Sequence, residues 1–483
     1  MTEQTGRNLV PDRARLLIDG EWRAGRKTSE VHDKYTREVA AVIDMADRDD
    51  VDAAVKAARR AFLAGTPEPA ERGRILRETA RLVGERRAKI ASTIAVETGF
   101  TIGDALGEVD RATETLRLSG EEACRLVGHM VPIAGAPGQS GRLAFTLRVP
   151  LGVVCAITPF NSPLNTVAHK IAPALAAGNA VVLKPATYTP LAATLLAECL
   201  LDAGLPPGLL SVVHGSGSEA GDALLSHPDI AFFGFTGSTG VGRLIQDRAG
   251  LRKTSLELGS IATTFVAADA DLDRAAAKCV PAAFRKAGQV CTSIQRLYVA
   301  RPVLEEFTER FLALTAKLGV GDPFAAGTVV GPMIAPAEAE RADSWIKDAV
   351  SGGATLLAGG TREGAVVQPT VLTGVDASMN VMCEEIFGPV VNIVPFDDLS
   401  AAIDDANATP YGLASGIFTR DLNHALDLAE RMQVGGVHIN DTSSSRVDLM
   451  PYGGVKDSGN GREGPHYAIR EMSAERIVTI QRG

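Results

Sequence analysis

Between Asp50 and Gly99 apolar residues recur at every third or fourth position, in VDAAVKAARRAFLAG and RGRILRETARLVGERRAKIASTIAVETG, and this spacing predicts amphipathic helices. A further helix is expected from about Val109 to Val127. From His129 to Pro150 the pattern changes. Gly and Pro gather between Gly135 and Gly141, and RLAFTLRV alternates, which reads as a β-hairpin or projecting flap whose edges suit a sheet shared between subunits. After Pro150, short β-branched apolar runs alternate with amphipathic helices: GVVCAIT, a helix from Leu164, AVVLK, a helix from Leu191, LLSVVH, a helix from Ser218, IAFFGFTG and a helix from Gly240. Runs this apolar suggest strands covered on both faces, and their alternation with helices implies parallel pairing in a doubly wound sheet, with ligands at the carboxyl ends of the strands. The order restarts after Glu257 with ATTFVA, a helix from Leu272, IQRLYVA, a helix from Val303, and later GIFT, a helix from Leu422 and GGVHIN. The fold class is therefore α/β, with a second α/β domain following the first.

A chain of 483 residues is too long for one core, in line with two or three domains, and its 45% apolar and 22% charged residues are those of a folded globular protein. The net charge of -9 and pI near 5.5, without a basic run, argue against nucleic acid or an anionic membrane as partner, because phosphate-rich surfaces are bound by concentrated basic faces. MTEQTGRNLV has no apolar core segment, and no stretch approaches the roughly 18 apolar residues of a membrane span, so a cytoplasmic location is expected. Cys124, Cys155, Cys199, Cys279, Cys291 and Cys383 lie far apart, without the close pairs of zinc sites or redox dithiols; reduced thiols and no metal are expected.

Several strand ends carry candidate chemistry. LLSVVH runs into Gly215, Gly217 and Ala220, which formally fits a dinucleotide turn, but the acid expected about 20 residues later is replaced by FTGSTG, so a cofactor loop and a plain tight turn both fit. FFGFTGSTGVG sets Gly237, Ser238, Gly240 and Gly242 where a strand gives way to a helix, and there glycine admits a phosphate that free helix N–H groups attract. Cys291, in KAGQVCTSIQR, lies at an element boundary beside Gly288, Thr292 and Ser293, a setting in which a thiol is reachable and its thiolate can be stabilised. On that setting alone it reads equally as a nucleophile or a packed thiol; the other five, amid apolar residues, read as small buried hydrophobes. Glu257, in TSLELGS, ends a strand between Leu256 and Leu258, where an apolar setting raises a carboxyl pKa toward that of a general base. Asn161, in ITPFNSPLN, also follows a strand, and its amide could donate to an oxyanion or serve only the turn.

TPFNSP, LKPA, FTGSTGVG, ELGS, GQVCTS, EEIFGPV and PYGGVKDSG occur in one order between LLIDGEWRAG near the N-terminus and RIVTI near the end, and in this the whole chain resembles the aldehyde dehydrogenase superfamily. It is most similar to the branch of lactaldehyde, succinate-semialdehyde and phosphonoacetaldehyde dehydrogenases. The resemblance implies two Rossmann-like α/β domains plus a small β oligomerisation arm. Residues 1–127 and 147–255 would form the dinucleotide-binding domain, 256–465 the catalytic domain, and 128–146 with 466–483 the arm of a homodimer or homotetramer. It implies that Cys291 attacks an aldehyde, that Asn161 and the Cys291 backbone N–H hold the thiohemiacetal oxyanion, that hydride leaves to a nicotinamide, and that Glu257 activates water to hydrolyse the thioester. Cofactor contacts are implied for Thr158, Pro159, Phe160, Gly217, Gly237, Ser238, Gly242, Leu258 and Phe387, for Glu385 at the nicotinamide ribose, and for Lys184 at the adenosine ribose.

Many NAD-preferring relatives carry a glutamate three positions after that lysine; here the position is Thr187, so NADP should be tolerated or preferred beside NAD. Ser260 stands where the family has a second glycine, and Phe160 where tryptophan is more common. Ser162, Val290, Thr292 and NDTSSSRVDLMP surround the expected substrate path with few large aromatics, which favours a small polar or anionic aldehyde, and Arg446 and Arg111 could bind its carboxylate or phosphonate. For Arg111 a surface salt bridge with a helical acid fits as well. The competing readings are an acylating, coenzyme A-dependent dehydrogenase, which Glu257 argues against, and a non-catalytic dinucleotide-binding protein.

Overall fold

Two large, mostly parallel sheets organise the computed structural model, which describes residues 5–481; residues 1–4 and 482–483 of the expected first domain and arm lie outside that range. In the first sheet the strands Lys253–Glu257, Ile230–Thr236, Val153–Ile157, Ala180–Lys184 and Leu210–Val212 lie side by side in that order, all parallel. The chain begins in the middle, at Val153–Ile157, winds outward to one edge, then returns to add Ile230–Thr236 on the other side. The crevice between these two neighbours is the switch point at which such a sheet receives ligands. The AVVLK run is buried at every position, as strands covered on both faces must be.

Two additions were not anticipated from the pattern. The hairpin Leu16–Ile18 and Glu21–Arg23 extends the first sheet antiparallel to Leu210–Val212, and Gly459–Asn460 adds antiparallel to Lys253–Glu257 at the other edge. Both elements are too short for a periodic signal. The second sheet holds Thr355–Ala358, Thr370–Thr373, Val390–Phe396, Arg296–Ala300, Thr263–Val266, Ala414–Phe418 and Gly436–Ile439, parallel except for the first. In a third sheet Ser473–Gln481 pairs antiparallel along the whole of Arg142–Pro150, which also pairs with Met130–Val131, giving the expected flap a long partner from the end of the chain.

The helices of the 50–99 region are Arg48–Ala64, Pro69–Glu85 and Arg87–Thr98. The helix expected over Val109–Val127 runs instead over Ile102–Ala123. Its start is set by Thr101, whose hydroxyl accepts from the Asp104 N–H, and Gly103 and Gly107 in the first turns had masked the helical signal. The helix expected from Ser218 is regular only over Asp222–Ser226, because Gly217–Gly221 forms a wide turn closed by the Gly221 N–H on the Ser216 carbonyl. Helix Asn165–Ala176 is buried at every residue, and so carries His169 and Lys170 into the interior, where each must find a partner. The expectation that five cysteines are buried fails at Cys124, which is exposed just past a helix end, and at Cys383, which is partly exposed at the end of a short helix. Among the described residues no helix is long and apolar enough to cross a membrane.

Candidate active site

A cleft of about 670 Å³ opens at the switch point of the first sheet and is closed on its other side by loops of the second. Strand ends supply one wall: Ile157 to Ser162, Lys184, Thr236 to Ser238, and Glu257 to Gly259. The facing wall comes from Arg285 and Lys286, the turn Gln289 to Thr292, Glu385 and Phe387, with Arg111, Arg446 and Tyr452 at one end. Of the residues expected to act in catalysis or to contact cofactor or substrate, Thr187 and Gly242 do not line it. Thr187 is exposed, its hydroxyl donating to the Gly215 carbonyl at 3.1 Å. A Cβ on Gly242 would come within 2.3 Å of Leu258, so this glycine lets helix Thr239–Ala249 pack on Leu258.

The loop carrying Cys291 is held in an unusual backbone path. Lys286, Ala287 and Gly288 all have φ between 53° and 69°, and a Cβ on Gly288 would lie 2.0 Å from the Gly388 carbonyl oxygen. Two consecutive non-glycine residues in the left-handed region are strained and persist only where surroundings over-determine them. Here Lys286 does so, donating to Glu108 Oε2 at 2.7 Å and to the Asn161 carbonyl at 3.0 Å. Glu108 in turn accepts from the Leu164 N–H at the start of the buried helix. The Asn161 side-chain amide donates to the Gln289 carbonyl at 3.0 Å, leaving its second N–H for the cleft.

Cys291 Sγ lies 3.2 Å from Glu257 Oε1 and 2.9 Å from the Tyr452 hydroxyl. Thr236 donates to the other Glu257 oxygen at 3.3 Å. Burial, then the nearby Glu463, pushes the Glu257 carboxyl above its ordinary range, and burial, then Glu257, pushes the Cys291 thiol well up. Behind them Lys170 Nζ pairs with Glu463 Oε1 at 3.0 Å, and Arg446 pairs with Glu463 Oε2 at 2.9 Å while its guanidinium covers the Tyr452 ring, 3.7 Å from the ring centre. Burial works to raise the Glu463 pKa, but Lys170 and Arg446 outweigh it and hold it well below the usual range. Local reading passed over Lys170, Tyr452 and Glu463, because none sits in a pattern whose chemistry shows without its neighbours.

Arg111 forks onto Asp448 at 2.7 and 3.2 Å, so its partner is an acid of the loop that also carries Arg446, not of its own helix. Asp448 also meets His169 Nε2 at 2.9 Å and the Asn165 amide at 3.2 Å. Arg285, six positions before Cys291 and likewise passed over, lines the same end of the cleft. It donates to Ser444 Oγ at 2.7 Å and, among the described residues, has no carboxylate within ion-pair distance. Burial lowers its pKa below the ordinary arginine value.

At the other end, the groups fit a dinucleotide. Among the described residues the Thr158 hydroxyl is buried without a hydrogen-bond partner, and Lys184 Nζ reaches only the carbonyl of Pro185, at 3.3 Å. Burial lowers the Lys184 amine to about 8. A Cβ on Gly217 would meet nothing, projecting into open space, and Ser238 makes no side-chain cap on the helix it precedes, so that N-terminus remains available to an anion. Glu385 Oε1 accepts from the backbone N–H of Ser260 at 2.8 Å, a contact for which the Ser260 side chain is immaterial; burial pushes its carboxyl up to about 7. Phe160, in place of the more common tryptophan, meets Phe387 edge to face at 5.7 Å.

Residues 22–478 match the model of the Aldehyde dehydrogenase family. The chain is 49% identical over 465 residues to 3-sulfolactaldehyde dehydrogenase of Priestia megaterium, covering 96% of this chain and 97% of the relative. It is 37% identical over 470 residues to lactaldehyde dehydrogenase of Methanococcus maripaludis, covering 96% and 99%. Among solved structures, aldehyde dehydrogenase 21 of Physcomitrella patens in complex with the reaction product succinate superposes with a TM-score of 0.95 at 39% identity, over 98% of both chains. A paired thiol and carboxylate in a cleft at the switch point of the sheet, on a fold shared along nearly its whole length with these proteins, leaves one conclusion: the chain belongs to the aldehyde dehydrogenase family.

Proposed function

We propose that this protein oxidises a small anionic aldehyde to its carboxylic acid with NAD or NADP, through a Cys291 thiohemiacetal and a thioester that water hydrolyses. The observation that carries the reading is the contact of Cys291 Sγ with Glu257 Oε1 at 3.2 Å, a nucleophile within reach of a base of raised pKa. Glu257 takes the thiol proton, and the sulfur attacks the aldehyde carbon. The free N–H of Asn161 and the Cys291 backbone N–H receive the oxygen that becomes negative, favouring loss of hydride from the same carbon. When bound, the nicotinamide supplies the hydride acceptor. Thr158, Lys184, Gly217, Ser238 and Glu385 would hold the dinucleotide. Glu257, having released its first proton to solvent, deprotonates the water that attacks the thioester.

Arg285 supports an anionic substrate. A half-buried guanidinium with no carboxylate partner among the described residues is a costly arrangement unless an anion completes it, and this one stands in the same cleft as Cys291. Arg111 and Arg446 face the same end but already hold Asp448 and Glu463. The activities named for the relatives agree in part: sulfolactaldehyde and succinate carry an anionic group at the end remote from the reacting carbon, whereas lactaldehyde does not.

The test is an aldehyde panel with NAD and NADP in parallel, comprising 3-sulfolactaldehyde, succinic semialdehyde and uncharged lactaldehyde. Higher kcat/KM on the charged members and a free acid product are expected. Equal efficiency on lactaldehyde would overturn the anionic assignment, and a requirement for coenzyme A would overturn hydrolysis.

A further inference from the structure

The reaction outlined above leaves Tyr452 without a role, although its hydroxyl lies 2.9 Å from Cys291 Sγ. We propose that Tyr452 is a further catalytic residue, a hydrogen-bond donor to the Cys291 sulfur whenever that sulfur carries negative charge: as the nucleophile forms, and again as it leaves the thioester. The proposal rests on Cys291 being the nucleophile.

The direction of the bond follows from counting protons. Among the described residues Cys291 Sγ has two hydrogen-bond neighbours, the Glu257 oxygen and the Tyr452 hydroxyl. When Glu257 is ionised, as a base that takes the thiol proton is, it can only accept, so the thiol proton points to Glu257 and the phenol proton to sulfur. Among the described residues the phenol has no other acceptor within hydrogen-bond distance, and Tyr452 is buried. Once the thiol proton has crossed to Glu257, the sulfur is a thiolate held by a donor already in place, with no reorganisation needed.

The surroundings favour that state. Arg446 lies against the Tyr452 ring at 3.7 Å, and a cation on the ring face draws electron density from the oxygen and strengthens its O–H as a donor. The charged groups acting on the thiol are Glu257, Arg446 and, from the loop before it, Arg285, while Glu463 and Lys170 stand behind them and act on Glu257. Within the buried cluster the cations Lys170 and Arg446 balance Glu463 and one further negative charge. Proton transfer moves that charge from Glu257 to Cys291 without changing the total. Burial otherwise opposes the thiolate strongly, so its one neutral donor has a large share in stabilising it.

The bonds balance in both steps. In the first, the S–H bond breaks with its proton passing to Glu257, the S–C bond forms, and the carbonyl π pair moves to oxygen. In the last, the water O–C bond forms with a proton passing to Glu257, and the C–S bond breaks with its pair returning to sulfur. Tyr452 keeps its own proton throughout.

The experiment is Tyr452→Phe, which retains the ring beneath Arg446 and removes only the hydroxyl, with folding checked by thermal melting and dinucleotide binding. Alkylation of Cys291 by iodoacetamide, followed at that cysteine by peptide mass spectrometry across pH, is expected to slow about tenfold or more near neutrality, with its pH midpoint moved upward. The kcat should fall roughly 10- to 100-fold while the aldehyde KM stays within about twofold. Replacing Tyr452 by a ring-fluorinated tyrosine, a stronger donor, should move the alkylation midpoint downward. An alkylation profile and kcat unchanged in Y452F, or a midpoint unmoved by fluorination should Y452F not fold, would overturn the proposal. Undiminished oxidation by Cys291→Ala would instead overturn the reading beneath it, so the two failures are distinguishable.

Discussion

Cys291 Sγ and Glu257 Oε1 stand 3.2 Å apart although the residues are 34 positions apart in the chain and belong to different elements, one on a strained loop, the other at the end of a parallel strand. Burial raises the pKa of both the thiol and the carboxyl, so charge is disfavoured on either member of this contact.

This contact makes separate predictions for its two members. Cys291→Ala should reduce NAD(P)H formation by on the order of 1000-fold or more, since no other nucleophile can form the thioester. Glu257→Gln should give a single slow burst of NAD(P)H that quickens as pH rises, because hydroxide can remove the thiol proton, followed by stalled turnover. Rapid-mixing absorbance measures both, and sustained turnover in the glutamine variant would refute Glu257 as the hydrolytic base.

Arg285→Ala should lower kcat/KM for a sulfonate- or carboxylate-bearing aldehyde by about 10- to 100-fold, the usual range for a lost hydrogen bond to a charged group. The loss should fall mainly on KM and be absent for uncharged lactaldehyde. Equal losses on both substrates would mean that Arg285 serves the Cys291 loop and not the anion.

Lys184 gives a pH dependence. Burial lowers its amine to about 8, so in the free enzyme the charged form predominates below that pH and is lost as pH rises through it. A 2′-phosphate is attracted only by the charged form, so KM for NADP should climb above pH about 8 while KM for NAD changes much less. Thr187→Glu, which sets a carboxylate between the cleft-lining Ala186 and Tyr188, should depress NADP use by roughly tenfold or more and leave NAD nearly unaffected. Parallel KM profiles for the two dinucleotides would remove Lys184 from phosphate recognition.

The sheet of Met130–Val131, Arg142–Pro150 and Ser473–Gln481 exposes Met130, Leu147, Ile477 and Ile480 to solvent in the single chain, and among the described residues no strand lies along the outer edge of 473–480. Exposed apolar side chains on an open sheet edge are a ready association surface. A dimer or tetramer is expected by size exclusion with light scattering, and Leu147→Glu with Ile477→Glu should shift it to a smaller species. A wild-type monomer would contradict this.

Most of the strands were legible because burial on both faces leaves a mark in every residue of runs such as AVVLK and TTFV, and a helix boundary because three- and four-residue spacing marks a buried stripe. Legibility failed where the local signal was diluted or short. Gly103 and Gly107 hid the first turns of Ile102–Ala123, the wide turn at Gly217–Gly221 looked like a helix, and the hairpin Leu16–Ile18 with Glu21–Arg23 was too brief to show its period. Cys291, Glu257 and Asn161 stood out because each lies at a strand end or element boundary.

What the sequence by itself determined was the order of strands and helices, the strand ends at which chemistry could sit, and a set of motifs sufficient to recognise the family. Those properties depend on neighbours in the chain, through the periodicity of burial and the conformational freedom of glycine. Only the tertiary structure decided which distant groups meet. Tyr452 reaches the Cys291 sulfur across 161 positions, Lys170 reaches Glu463 across 293, and Asp448 reaches Arg111 across 337, which leaves Arg285 beside them with no acid within ion-pair distance among the described residues. Hydrogen bonds and ion pairs act over a few ångströms in space, whatever the separation along the chain, so their partners are chosen by packing and carry no local signature.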